Sequence, residues 1–269
     1  MRGARKRILC LVESSDFTSQ LSDILRPTGA IIQPQPNDEW MPKGFSKPDE
    51  ARMEKFGSEA FPDEVFPKKD WQALHSWWLI HKRGANTPNW DLASTCTING
   101  RKGLVLVEAK AHTNELKTEG KILPCGASIR SRENHDRIWE AICEASQALA
   151  KEIPGVNILR DTHYQLANRV AFSWKIASMG IPVVLVYLGF IGDKDMANVG
   201  EPLRNDKHWQ CVMQSHMAGH IPKGFVGKWI KCGESEQMII RSLPVSIGLP
   251  SQSIKVVSLV GIPPVTGIV

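Results

Sequence analysis

The sequence predicts an α/β protein with a mixed central sheet and flanking helices. Three observations predict it. Two apolar runs joined by Asn99-Gly100 read as a β-hairpin, two long helical patterns follow at 131–153 and about 161–180, and a continuous apolar run at 181–190 has the length of a strand. A strand reached through a helical crossover lies parallel to the strand before it. The sheet is therefore expected to be antiparallel at the hairpin and parallel beyond it. With 269 residues, 42% of them hydrophobic and 23% charged, the chain can bury one large core.

Residues 1–68 read as a Pro-rich N-terminal extension packed on that core. Pro34, Pro36, Pro42, Pro48, Pro62 and Pro67 argue against long regular elements there. Arg2, Arg5, Lys6 and Arg7 form a basic arm suited to phosphate contact, and Ile8 to Val12 behind it read as a short strand. Residues 49–57 read as a short helix ended by Gly57. The core runs from 69 to 190. It opens with a helix at 69–82, with the stripe Trp71, Leu74, Trp78 and Ile80 or His81 and with Asp70 as N-cap.

The hairpin follows, then the helix at 131–153, whose apolar face is Ile138, Ala141, Ile142, Ala145 and Leu149. Ser131 is its expected cap, and Pro154-Gly155 ends it. The next helix carries Leu166, Ala167, Val170, Trp174 and Ala177, and the apolar strand at 181–190 reads as buried on both faces. Residues 191–269 read as a basic C-terminal extension of the same globular unit, with a strand at 236–243 and a Pro-rich end.

Composition narrows the function classes. The net charge of +5 fits a polyanionic partner without demanding one. Six Cys form no C-x-x-C pair and read as free, mostly buried thiols of a reducing, cytoplasmic compartment. No run approaches the roughly 18 apolar residues of a membrane helix. The short apolar run near the N-terminus, broken by Glu13 and Asp16, is too short for a signal peptide. There is no G-x-S-x-G, P-loop or G-x-G-x-x-G.

The segment "NWDLASTCTINGRKGLVLVEAKAH", Asn89 to His112, carries the chemistry. Asn-Gly between β-like runs favours a two-residue turn, because both central residues need positive φ. With that turn, Ile98 pairs with Arg101 and Asp91 falls opposite Glu108. Directly opposed residues share a face, and Lys110 shares it two residues on. Two carboxylates this close repel unless a cation lies between them. Mg²⁺, with Mn²⁺ as a substitute, suits oxygen ligands from Asp91, Glu108 and the Ala109 carbonyl. Lys110 beside the ion's water is equipment for phosphodiester hydrolysis. The bland alternative is a structural ion pair at a strand end.

"NWDLA" followed by "GLVLVEAKAH" resembles the PD-(D/E)XK, or restriction-endonuclease-like, nucleases. Asp91 matches the family's metal-binding Asp, and Glu108 and Lys110 match its E-x-K pair. The resemblance implies a restriction-endonuclease-like core and a metal-dependent nuclease acting on DNA. Pro88 lies three residues before Asp91 rather than adjacent to it. "HYQLANRVAF" supplies Gln165 of the family's Q-x-x-x-Y helix motif, with Arg169 at the Tyr position. A further Glu from the preceding helix is implied, and Glu54, Glu59 and Glu64 are candidates. The alternative is a catalytically inactive nuclease-like fold serving as a nucleic-acid-binding or scaffold protein.

Other features are weighed beside this set. His112 follows on the same strand face and is a candidate for substrate phosphate. Glu115 is a candidate second carboxylate. His208, Cys211, His216 and His220 fall within thirteen positions, with His216 and His220 on one helix face, in a spacing that matches no established zinc motif. From 207 to 233 there is no Asp or Glu. Lys223, Lys228 and Lys231 there are candidate nucleic-acid contacts, while Trp209, Phe225 and Trp229 either stack on bases or fill the core.

Overall fold

The computed structural model describes residues 2–26, 32–83, 85–233 and 237–246. It is a mixed α/β architecture. The elements are α1 (Gly3–Val12), α2 (Phe17–Leu25), β1 (Ile32–Gln33), β2 (Trp40–Met41), β3 (Ala51–Arg52), α3 (Met53–Ala60), α4 (Lys68–Trp78), β4 (Asn89–Trp90), β5 (Leu92–Ile98), β6 (Arg101–Lys110), α5 (Ile129–Glu152), α6 (Tyr164–Ser178), β7 (Val183–Ile191), α7 (Asp206–Met217), β8 (Trp229–Lys231) and β9 (Gln237–Ser246). The main sheet runs β1-β5-β6-β7-β9-β8, with β2 also on β5. β5 and β6 are antiparallel, and β6, β7 and β9 are parallel to one another. The expected mixed sheet with flanking helices is present.

Alternation along β6 divides the core. Leu104 and Leu106 pack with α3 to α7 on one face, and Val105, Val107 and Ala109 pack with α1 and α2 on the other. This is period-two geometry with both faces covered, so the strand reads as an unbroken apolar run. Glu108 and Lys110 have the parity of Leu104 and Leu106. They therefore point toward the face where α6 lies.

The N-terminal reading is corrected. Residues 8–12 are not a strand but the second half of α1. Ala4, Ile8, Leu11 and Val12 are all buried, at the spacing of a helical stripe. A window starting at residue 8 is too short to show it. Three of the four basic-arm residues are engaged within the fold: Arg5 pairs with Glu50 at 2.6 Å, Lys6 with Asp195 at 3.1 Å and Arg7 with the fully buried Asp193 at 2.7 Å, while Arg2 is exposed. Residues 1–68 are thus less peripheral than their prolines suggest, since α1 and α2 cover one face of the sheet.

Helix ends differ from expectation for local reasons. Gly57 lies inside α3 rather than ending it, and its lack of a side chain lets the Trp71 ring pack against it, since a Cβ there would stand 2.5 Å from that ring. Pro67, not Asp70, precedes α4, which ends at Trp78. Ser128, not Ser131, caps α5, and the Ser131 amide is the donor to it. Three cysteines, Cys10, Cys125 and Cys211, are exposed, so the thiols are not mostly buried. The expected strand at 236–243 is β9. Glu236 and the chain beyond 246 lie outside the described residues. Among the described residues, no helix is long and apolar enough to cross a membrane.

Candidate active site at the end of β6

The β5–β6 turn is the two-residue turn that Asn-Gly favours. Asn99 has φ 48° and Gly100 φ 80°, the mirror-image turn that matches strand twist. Ile98 pairs with Arg101, and the register continues to Leu92 opposite Val107. Asp91 is the next residue outward. Its Oδ2 accepts the Ala109 amide at 2.8 Å, which ties it to the E-x-K strand.

Glu108 is the hub. Its Oε1 accepts from Lys110 Nζ at 2.5 Å and from Gln165 Nε2 at 2.7 Å, while Oε2 accepts from Arg169 Nε at 2.5 Å. Lys110 Nζ also donates to Gln165 Oε1 at 3.0 Å. Gln165 and Arg169 sit one helical turn apart on α6, so they reach the strand together. Arg169 is held further by Asn168 Oδ1 at 2.7 Å and by the Trp90 ring, 4.9 Å away. Glu108, Lys110 and Arg169 are buried, whereas Asp91 and Gln165 keep partial exposure. The cluster opens to solvent on their side.

The two carboxylates behave oppositely. Desolvation and then the charge of Glu108 push Asp91 up to about 7, against the Ala109 amide bond and the two cations. Burial also works against ionised Glu108, but Arg169 and Lys110 outweigh it and hold the group below its ordinary value. Carboxylates driven apart by their surroundings mark sites of acid–base or metal chemistry more often than plain ion pairs do.

Other candidates fall elsewhere. Glu54 starts α3 and accepts the Thr87 hydroxyl at 2.9 Å, while Glu59 and Glu64 are exposed. Among the described residues, no group of three or more His, Cys, Asp or Glu side chains is placed to hold a metal ion, so none of these Glu completes such a set. Glu115 accepts the Ala111 and His112 amides at 2.5 and 3.3 Å, which closes the end of β6 rather than adding a ligand. His112 is 6% exposed and is walled in by Gly200, where a Cβ would come within 2.5 Å of its ring.

Lys223, Lys228 and Lys231 are exposed, on the segment from the end of α7 to β8. Trp209 and Phe225 in that segment are fully buried, so they fill the core. The 208–220 quartet is divided. His208 Nδ1 accepts the Arg204 amide and Cys211 is exposed, whereas His216 and His220 face His163.

Sequence reasoning placed Arg169 only as an absent Tyr. The signal available was its i+4 spacing from Gln165. His163 carried no such signal. Compared with known protein families, curated proteins and solved structures, the chain matches none of them at a significant level.

Proposed function

We propose that the chain is a metal-dependent nuclease that hydrolyses phosphodiester bonds, with DNA as its substrate and a restriction-endonuclease-like core. One observation carries this reading: Asp91 is locked by the Ala109 amide beside a buried Glu108–Lys110 pair at the end of a rigid strand. A fold has no need of such a cluster in its own core, because burying charges costs several kcal/mol per ion before pairing.

The donor set matches Mg²⁺ in oxygen type, and because both Glu108 oxygens accept from Lys110, Gln165 and Arg169, Mg²⁺ would displace one of those donors. Asp91 and Glu108 offer hard oxygens, Asp91 reaches solvent, and Mg²⁺ is commonly held by one or two carboxylates with waters completing its shell. The raised Asp91 supports the fit, since a cation beside it relieves the repulsion from Glu108. When bound, Mg²⁺ supplies a Lewis acid for the scissile phosphate and a water of lowered pKa. The Ala109 carbonyl is the third expected oxygen.

The chain's own groups do the rest. Lys110 has three N–H donors and spends two on Glu108 and Gln165, which leaves one for the attacking water or a phosphate oxygen. Gln165 aims Lys110. Arg169 keeps Glu108 ionised and fixed, so the carboxylate is an acceptor from the outset.

The test is cleavage of linear, circular, single-stranded and RNA substrates in Mg²⁺ and Mn²⁺, with Lys110→Ala as control. Cleavage that is lost in the variant supports the reading. Cleavage at the wild-type rate in the variant sinks it.

A second reading has its own observation. Lys110 and Arg169 both already pair with Glu108, so its charge is compensated without a metal. On that reading the fold binds nucleic acid or serves as a scaffold, with no turnover. Calorimetric Mg²⁺ titration separates the two, because only the nuclease reading requires binding that disappears in Glu108→Ala.

A further inference from the structure

Three imidazoles gather beside this cluster without a role in it. His163 immediately precedes α6, two residues before Gln165. Its ring centroid lies 5.1 Å from that of His216 and 4.3 Å from that of His220, which come from α7 and the turn after it. His163 holds a left-handed backbone, φ 48° and ψ 42°, and no side chain caps the helix it starts. A non-glycine residue there stores strain, and such strain gathers at functional sites. His216 is only 7% exposed, yet its Nδ1 has no hydrogen-bond partner among the described residues. His163 keeps partial exposure, so the imidazole group reaches solvent on its side.

We propose that His163, His216 and His220, with the uncapped N-terminus of α6, bind a phosphate group, namely the substrate phosphate neighbouring the one that Lys110 serves. The Tyr164 amide is taken by the Glu119 carbonyl at 3.0 Å, which leaves the Gln165 and Leu166 amides, at the positive end of the helix dipole, for an anion. The imidazoles point the same way. His220 Nδ1 lies 2.9 Å from the Asn157 carbonyl, which can only accept, so Nδ1 carries the proton. Thr162 Oγ1 donates to the Thr118 carbonyl, which leaves its oxygen to accept from His163 Nδ1 at 2.9 Å. A proton taken up on the remaining nitrogens makes each ring a two-sided donor. A phosphate supplies the acceptor that buried His216 Nδ1 lacks.

Binding is therefore linked to proton uptake. Without an anion, burial, then His163, Lys110 and His220 hold His216 down to about 4, with Glu108 opposing. Burial and His220 lower His163, with Glu119 opposing. An anion among these rings reverses the balance, so phosphate binds more tightly as pH falls. Only the identity of the substrate rests on the nuclease reading; the affinity for phosphate does not.

The experiment follows the imidazole resonances of the intact protein by NMR across pH, in inorganic phosphate and in chloride at matched ionic strength. The His216 midpoint is expected to rise by about one unit or more in phosphate, a tenfold change in proton affinity. His163→Asn, which tolerates the left-handed backbone, is expected to reduce that shift. Equal midpoints in the two salts overturn the proposal. Kinetics supply the second arm. In His216→Gln, KM for an oligonucleotide is expected to rise about tenfold with kcat nearly unchanged, the worth of one hydrogen bond from a buried donor. A dinucleotide with a single phosphodiester is expected to show no such rise. An equal effect on both substrates overturns the neighbouring-phosphate assignment. A phosphate-dependent shift in a protein that cleaves nothing upholds the site and sinks the nuclease reading. Cleavage without the shift does the reverse.

Discussion

Arg169 on α6 donates its Nε to Glu108 on β6 at 2.5 Å, and both side chains are buried. This bond ties the helix to the strand that carries the candidate catalytic groups. Removing one partner leaves the other charged and unsolvated. Arg169→Met is expected to cost about 3–5 kcal/mol of stability, the usual penalty for breaking a buried pair. Urea unfolding measures it. Arg169→Lys is expected to recover only part, since an ammonium lacks the planar fork.

Lys110→Ala tests the chemistry. A group that moves or orients a proton contributes about 10²–10⁴-fold, so kcat is expected to fall by that factor in Mg²⁺. Far-UV circular dichroism is expected to match wild type, because Arg169 and Gln165 still hold Glu108. A rate within a few-fold of wild type removes Lys110 from the mechanism.

Asp91 predicts a trade between stability and activity. Its folded-state pKa, about 7, lies above its ordinary value of 3.8, so the fold favours the protonated form. That contribution is present below the ordinary value and is lost as pH rises through about 7. In chelator, Asp91→Asn is expected to match wild type near pH 4 and to exceed it at pH 8, by on the order of a few kcal/mol. Thermal melts across pH check this. The same variant is expected to be inactive and to lose the stabilisation that Mg²⁺ gives wild type.

His216 predicts the opposite slope. Its folded-state value, about 4, lies below the ordinary 6.5, so the fold favours the neutral ring. That stability is present above pH 6.5 and is lost as pH falls toward 4. Wild type is expected to lose about 3 kcal/mol over that window from this group in chloride. His216→Gln is expected to lose less, as read by urea midpoints at each pH.

Gly100 carries the hairpin register. Alanine meets no atom there, but φ is +80°. Gly100→Ala is expected to cost about 1–2 kcal/mol from the left-handed backbone alone, measured by chemical unfolding. A neutral result would show that the turn does not depend on glycine.

Much of this site is legible in a short sequence window. Asn99-Gly100 sets the turn through local backbone preference, and alternation then places Glu108 and Lys110 on one face with Asp91 opposite. Periodicity likewise yields α5, α6 and β7, since each must bury a stripe or both faces. The helix α1 escaped because its stripe begins at Ala4, outside the apolar run that draws the eye. The basic arm escaped because its acidic partners Glu50, Asp193 and Asp195 lie far along the chain.

The sequence by itself determined the hairpin, its register and the convergence of Asp91, Glu108 and Lys110, because those depend on residues within about one turn and two strands. Only the tertiary structure decided that Arg169 neutralises Glu108, that His163 meets His216 and His220, and that His112 is buried. Periodicity tells which face a residue takes. Its partner on that face depends on how α6 and α7 lie across the sheet, which is settled by the packing of the whole core.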